Sequence, residues 1–264
     1  MRNNYETILL ERKGDHLLVV TLNRPKAGNS MNTLMGEELR DLWGGLYCDQ
    51  EDIRCAVLTG SGDRIFCAGA DLKERNGMSD AQWMAQHALF EQMIMAEMDC
   101  PVPIIAAING AAYAGGFEMT LGCDFVYAAN NARFALTEVT LGIMPGACGT
   151  QNLPRAVGLR RAKEIILTGT PISAEEAYEY GIVNKLCDGE NLLNEALATA
   201  QRICDNAPIS IRQAKKSLNM SQNIDLKSGY MFELEAYNRM VTTEDRVEGI
   251  LAYNEKRKAN FKGR

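Results

Sequence analysis

Ile108-Asn109-Gly110-Ala111-Ala112-Tyr113-Ala114-Gly115-Gly116-Phe117-Glu118-Met119-Thr120-Leu121-Gly122-Cys123-Asp124 is the stretch that decides how the chain is read. An apolar, strand-like run from Pro103 ends at Gly110, a loop of small residues follows, and Gly115-Gly116 opens what reads as a short apolar helix. The first N–H groups of a helix have no intrahelical acceptor, and together with the helix dipole they favour negative charge. Glu118 falls in the first turns of that helix, between Phe117 and Met119. Taken alone, the segment also reads as a glycine-rich packing turn carrying a solvated glutamate.

Two neighbours change that balance. Upstream, Phe66-Cys67-Ala68-Gly69-Ala70-Asp71-Leu72-Lys73-Glu74 places tiny residues between an apolar pair and a helix start, where a ligand can approach the backbone closely. Downstream, Glu138 lies in the mostly apolar run Ala135 to Gly146. Around these segments strands and helices alternate. His16–Asn23, Ile53–Thr59, Pro103–Asn109 and Asp124–Ala129 are strand candidates, and Met35–Tyr47 and Asp80–Met98 are helical patterns. This is an α/β arrangement with crossover helices. After about Pro154 the pattern becomes helical only. It runs from Gly158 to a stop at Gly169, through a capping box at Ser173-Ala174-Glu175-Glu176, to Asn191–Asp205, Ile209–Leu218, Leu226–Met240 and Thr243–Lys258. The last helices carry more apolar surface than a free tail would expose, which predicts packing on a partner.

Composition excludes several chemistries. The 264 residues are 46% hydrophobic, enough for a full core, and the net charge of −6 with no dense Lys/Arg tract argues against nucleic acid as main partner. The eight cysteines are scattered without a CxxC pair and read as buried free thiols of a reducing compartment. With no signal-like segment from Met1 to His16 and no membrane-length apolar run, the expectation is a cytoplasmic protein. His16 and His87 are the only histidines, and both read as ordinary structural residues. No GxSxG, HExxH or P-loop occurs, Ile65 stands where a dinucleotide-binding turn from Gly60-Ser61-Gly62 needs its third glycine, and no metal site is expected.

In order along the chain, Phe66–Lys73, Gly115–Glu118 with Cys123-Asp124, and Glu138 leading into Pro145–Gln151 resemble the signature blocks of the crotonase superfamily, the enoyl-CoA hydratase/isomerase family. The likeness continues through Asn23–Lys26, Arg161–Thr168, Ala174–Gly181 and Thr243–Ala252, and the tail is similar to methylglutaconyl-CoA hydratase-like members. Ala114, Cys148 and Asn152 depart from the commoner family pattern.

The resemblance implies a spiral core of repeated β-β-α units over residues 1–195. It also implies a helical region over residues 196–264, packing on the core and on neighbouring subunits of a homotrimer or homohexamer. It makes Glu118 and Glu138 the catalytic pair and the amides of Ala70 and Gly115 the oxyanion hole. The acyl-CoA thioester would be held by Lys26, Ala68, Ala70, Asp71, Leu72, Lys73 and Gly115, with coenzyme A as part of the substrate and no separate cofactor. The acyl end is expected near Tyr113, Phe117, Met78, Met84, Met144 and Cys148. Because both acidic positions are glutamate, hydration of a short or compact 2-enoyl-CoA is favoured. A Δ3,Δ2-enoyl-CoA isomerase and an RNA-binding relative of the same fold are the alternatives, and which glutamate carries the proton stays open.

Overall fold

A computed structural model of the protein describes residues 4–264, so Met1–Asn3 of the N-terminal stretch lie outside the described residues. Strands β1 (Ile8–Lys13) and β2 (Leu17–Leu22) form a hairpin that leads into helix α1 (Thr33–Cys48). Next come β3 (Cys55–Gly60), β4 (Ile65–Cys67), α2 (Leu72–Arg75) and α3 (Asp80–Asp99), then β5 (Ile104–Ile108), β6 (Ala111–Tyr113) and α4 (Gly115–Gly122). They are followed by β7 (Phe125–Ala129), β8 (Arg133–Ala135), α5 (Gly149–Val157), α6 (Leu159–Thr168), β9 (Ile172–Ser173), α7 (Ala174–Glu179) and β10 (Lys185–Cys187). The chain ends in α8 (Leu192–Cys204), α9 (Pro208–Ser221), α10 (Leu226–Val241) and α11 (Glu244–Glu255).

From β3 to β8 successive strands alternate between two sheets. One sheet has the order β1-β2-β3-β5-β7-β10 and the other β4-β6-β8-β9. Each turn of the chain therefore adds one strand to each sheet before a helix closes it, as in β3-β4-α2/α3 and β5-β6-α4, and this is the β-β-α spiral that the resemblance implies. Apart from the pairs β1-β2 and β8-β9, all pairings are parallel. Strands buried on both faces need unbroken apolar sequence, and β3 (CAVLTG) and β5 (IIAAI) are buried at every position. The exposed edge of β1 carries Glu11, Arg12 and Lys13, charges that discourage further strand pairing.

The larger sheet is covered on both faces. On one side Leu18, Val20, Leu58, Ala106 and Ile108 meet Met35, Leu39 and Trp43 of α1 and Met93 and Ile94 of α3. On the other, Leu192, Ala196, Ala200 and Cys204 of α8 pack on Val19, Val57, Ile105 and Ala107. The division expected at residue 195 thus falls inside α8, a helix that belongs to the sheet by its packing, and the peripheral helices begin at Pro208. Their outer surface is apolar, with Leu226, Tyr230, Met231, Tyr237, Ile250 and Tyr253 all exposed.

The long elements lie within a few residues of their expected bounds, and the capping box at Ser173 and the stop at Gly169 are both present. Three readings need correction. The region after Pro154 is not helical only, since it contributes β9 and β10 to the sheets. Helix α5 was not foreseen, because Pro154 sits inside it and glycines precede it. Cys48, at the last turn of α1, is exposed rather than buried.

The buried carboxyl of Glu97 makes stability depend on pH. Glu97 in the last turn of α3 is fully buried, its Oε1 accepts a hydrogen bond from the Cys123 thiol at 3.2 Å, and among the described residues its Oε2 has no partner. Burial pushes its carboxyl up to about 8. A carboxyl whose folded value lies above its unfolded value, about 4.3, binds more protons in the folded state. Stability is then full at low pH and falls as pH rises from about 4.3 toward 8. Thermal unfolding should show a lower Tm at pH 8 than at pH 5, and Glu97→Gln should flatten that slope. An unchanged slope in the variant would contradict the assignment.

Candidate active site

The site forms where two strand-to-helix loops meet. After β4, the loop Ala68–Asp71 is held on both sides of Ala70, because Met31 N–H donates to the Gly69 carbonyl and Asp71 N–H donates to the Met31 carbonyl, each at 2.8 Å. Asp71 caps α2 by accepting from Lys73 N–H at 3.1 Å and Glu74 N–H at 3.4 Å, and it pairs with Arg24 at 2.9 Å. After β6, Ala114 turns the chain at φ 49° and ψ −127° into α4. This is a strained conformation for a residue with a Cβ, at a position where the commoner family pattern has glycine. Gly69 lies against this turn: a Cβ on it would sit 2.8 Å from the Ala114 Cβ and 3.4 Å from the Gly115 nitrogen. Among the described residues, neither Ala70 N–H nor Gly115 N–H has a protein acceptor. Two unpaired donors thus stand on adjoining loops.

Two buried carboxyls complete the arrangement. Glu118, in the first turns of α4, accepts from the N–H groups of Ala147 and Gly149 at 2.8 Å each through Oε1. Gly149 is the first residue of α5, so the carboxylate also caps that helix at its positive end. Burial raises the Glu118 carboxyl above its ordinary value, and the N–H groups of Gly149, Ala147 and Gly146 pull against that rise. Glu138 opens a 3-10 turn over Glu138–Leu141 and is also buried, but among the described residues neither of its carboxyl oxygens has a hydrogen-bond partner. Burial first, and then the charge of Glu118, push it up to about 7. Both glutamates, with Ala68, Ala70, Ala114 and Gly115, line one cleft of about 520 Å³.

The fold and this cleft can be set beside known proteins. Residues 12–264 match the model of the family described as Enoyl-CoA hydratase/isomerase. The chain belongs to the enoyl-CoA hydratase/isomerase family. It is 38% identical over 262 residues to the short-chain-enoyl-CoA hydratase of Clostridium acetobutylicum, covering 97% of this chain and 98% of the relative. It is 39% identical over 249 residues to the (E)-benzylidenesuccinyl-CoA hydratase of Thauera aromatica, covering 94% and 96%. The crystal structure of an enoyl-CoA hydratase from Bacillus anthracis superposes with a TM-score of 0.96 at 41% identity, covering 98% of this chain and all of that one.

Within this enoyl-CoA hydratase/isomerase framework, the residues singled out from sequence separate into groups. Glu118, Glu138, Ala68, Ala70, Leu72 and Gly115 line the cleft together. Lys73 is exposed next to Leu72, and Lys26 is exposed on the turn Pro25–Ala27, whose neighbour Gly28 accepts a hydrogen bond from Ala68 N–H at 3.0 Å. Of the six residues expected at the acyl end, only Met144 lines the cleft. Phe117 is fully buried against Phe134 at 5.3 Å, Met84 points to solvent, and Met78 faces a separate groove with Gln82 and Leu89. The cleft wall is instead built by Trp83, His87, Phe90 and Met93 of α3, by Arg75, and by Leu141 and Ile143.

His87 therefore is not the bystander the sequence suggested. Its ring faces the cleft, packed against Gly146, with Nε2 3.2 Å from Glu91. The spacing 83, 87 and 90 on an expected helix already places those three residues on one face, but not which surface that face meets. Among the described residues, no group of three or more His, Cys, Asp or Glu side chains is placed to hold a metal ion, and no helix is long and apolar enough to cross a membrane.

Proposed function

We propose that this chain hydrates a short or compact 2-enoyl-CoA, with Glu118 and Glu138 as the acid–base pair and the N–H groups of Ala70 and Gly115 as the oxyanion hole. The observation that carries this reading is that two buried carboxyls in one cleft have opposite surroundings. Burial raises both carboxyls, but Glu118 receives two N–H donors from the Ala147–Gly149 loop, which favour its ionised form, whereas Glu138 receives none from another residue and is pushed up to about 7. Glu118 then takes a proton from a water molecule as its oxygen adds to C3 of the conjugated thioester. The electron pair of the C2–C3 double bond moves onto the thioester oxygen, and the enolate is held by the two N–H groups. Such a donor supplies about 3 to 4 kcal/mol. Protonated Glu138 delivers its proton to C2, and proton exchange with solvent restores both carboxyls.

Lys26 and Lys73, exposed beside Ala68 and Leu72, are proposed to meet the CoA phosphates, while the small loop Ala68–Asp71 admits the pantetheine arm. Trp83, Phe90 and Met93 wall off the acyl side, so long straight chains should be crowded out. We expect kcat/KM for crotonyl-CoA to exceed that for decenoyl-CoA, the gap growing by no more than about 1 kcal/mol per methylene. Equal or higher values for decenoyl-CoA would overturn the chain-length part and leave the chemistry standing.

The exposed apolar face of α10 and α11 supports assembly into a homotrimer or a pair of trimers, each copy covering its neighbour's Leu226, Tyr230 and Tyr237. Sedimentation at micromolar concentration should find no stable monomer, and a monomer there would contradict it.

A further inference from the structure

The acyl side of the cleft contains a cation without an anionic partner. Arg75, the last residue of α2, is 9% exposed, yet it lines the cleft. Its Nε donates to Gln86 Oε1 at 2.8 Å. Gln86 is itself fixed, its Nε2 donating to Glu74 Oε2 at 2.8 Å and to Thr33 Oγ1 at 2.9 Å. The guanidinium carbon lies 4.2 Å from the centre of the Trp83 ring and 5.6 Å from that of Phe90. An arginine carries five N–H donors, and only the one on Nε is used. Among the described residues the four Nη hydrogens meet no acceptor and no ion pair joins Arg75 to any carboxylate. Glu74 is the one acid that acts on its charge, and the carboxylate oxygen Oε2 of Glu74 is already occupied by Thr33 N–H at 2.9 Å and by Gln86. The charge acting on Glu138 is that of Glu118, not of Arg75, so the guanidinium is not serving the catalytic pair.

The Nη groups are not among the fully buried unpartnered side-chain atoms, so they open onto the cleft that Arg75 lines. Here the network from Thr33 through Gln86 holds the Nε edge, the rings flank the guanidinium, and the Nη donors are left for whatever occupies the cleft. Planar paired N–H groups match a carboxylate in two-point geometry. We propose that Arg75 is a specificity-determining residue that receives a carboxylate on the acyl group, remote from the thioester, so that the preferred substrate is a 2-enoyl-CoA bearing a second acid group. This inference deepens the hydratase reading and rests on the same cleft, but it concerns binding rather than proton transfer.

The test uses unreactive ligands so that binding is read apart from catalysis. Saturated monothioesters of straight α,ω-diacids with coenzyme A, spanning about four to seven carbons, are compared by calorimetry with monoacid thioesters of the same length. A charged hydrogen-bonded pair contributes about 1.5 to 3 kcal/mol, so at least one diacid thioester should bind about tenfold or more tightly than its matched monoacid. Arg75→Met should abolish that preference, and Arg75→Lys should keep part of it because the charge survives without the fork. If no diacid binds better than its matched monoacid to the unaltered protein, or if Arg75→Met keeps the preference, the proposal is overturned. Crotonyl-CoA hydration is scored separately. Its absence alongside an intact diacid preference would remove the hydratase reading alone, and its presence without that preference would remove the role of Arg75 alone.

Discussion

Glu138→Gln should lower kcat for enoyl-CoA hydration by at least about 100-fold, the usual scale for losing a general acid or base. The glutamine keeps the volume of the side chain in its buried site but holds no transferable proton, so the enolate at C2 would wait for a proton from solvent. Glu118→Gln should cost at least as much, because its oxygen no longer attracts a proton from water and its contacts with Ala147 and Gly149 N–H weaken. The alternative within the family separates cleanly: an isomerase that works with one carboxylate would retain most activity in Glu118→Gln. The two roles also fix the sign of the pH profile. As the proposed acid, Glu138, pushed up to about 7, would act in its protonated form, so kcat/KM of the free enzyme should fall as pH rises through that value. In Glu138→Gln the alkaline limb should disappear. A profile flat from pH 6 to pH 9 in the unaltered protein would contradict the assignment of Glu138 as the acid.

Gly116→Ala should be severe for a different reason. A Cβ at this second residue of α4 would lie 2.4 Å from the Cys67 carbonyl oxygen, 2.9 Å from its carbonyl carbon and 2.7 Å from its Cβ. These are backbone and near-backbone atoms of β4, which cannot rotate away. The start of α4 must therefore move off β4, and with it move Gly115 N–H and Glu118 relative to Ala70. Overpacking a close backbone contact of this kind costs about 1 to 3 kcal/mol or more. Because the two proposed oxyanion donors would then be displaced relative to each other, kcat should fall by about 100-fold even in the folded fraction. Denaturant unfolding together with kcat measured on the same preparation tests both parts. Full stability with full activity would show that the two loops are not held in register by this contact.

How much of this is legible in sequence depends on the length scale of each signal. Strands β2, β3, β5 and β7 are apolar runs of five or six residues, long enough to stand out and to end on recognisable breakers such as Pro25 and Gly110. Strands β4, β6, β8 and β10 have three residues each, fewer than two periods of the alternation, and only their neighbours in the sheets make them strands. Glu118 and Glu138 could be singled out because they stand among apolar residues in ordered blocks of small residues. Their different proton affinities could not, since the N–H donors to Glu118 come from Ala147 and Gly149, about thirty residues away in the chain.

The acyl wall was the least legible part. Trp83 and Met84 are adjacent, but one helical step of about 100 degrees turns the first into the cleft and the second into solvent. Arg75 reads as one more charge after Lys73 and Glu74, a solvated helix end, until the fold lays Trp83 over it and opens the cleft beneath. Burial of a short charged segment is a property of tertiary packing, and nothing local in Leu72–Arg75 announces it.

Hydration by the two proposed glutamates adds water, as hydroxyl and proton, across a conjugated thioester. Crotonyl-CoA should be incubated with the protein in D2O and the product isolated for mass spectrometry and proton NMR. A 3-hydroxyacyl-CoA carrying a single solvent-derived deuterium at C2 should form with the unaltered protein, and at least about 100-fold more slowly with Glu118→Gln or Glu138→Gln. A product with the double bond moved and no oxygen gained, or no turnover of any short enoyl-CoA, would contradict it.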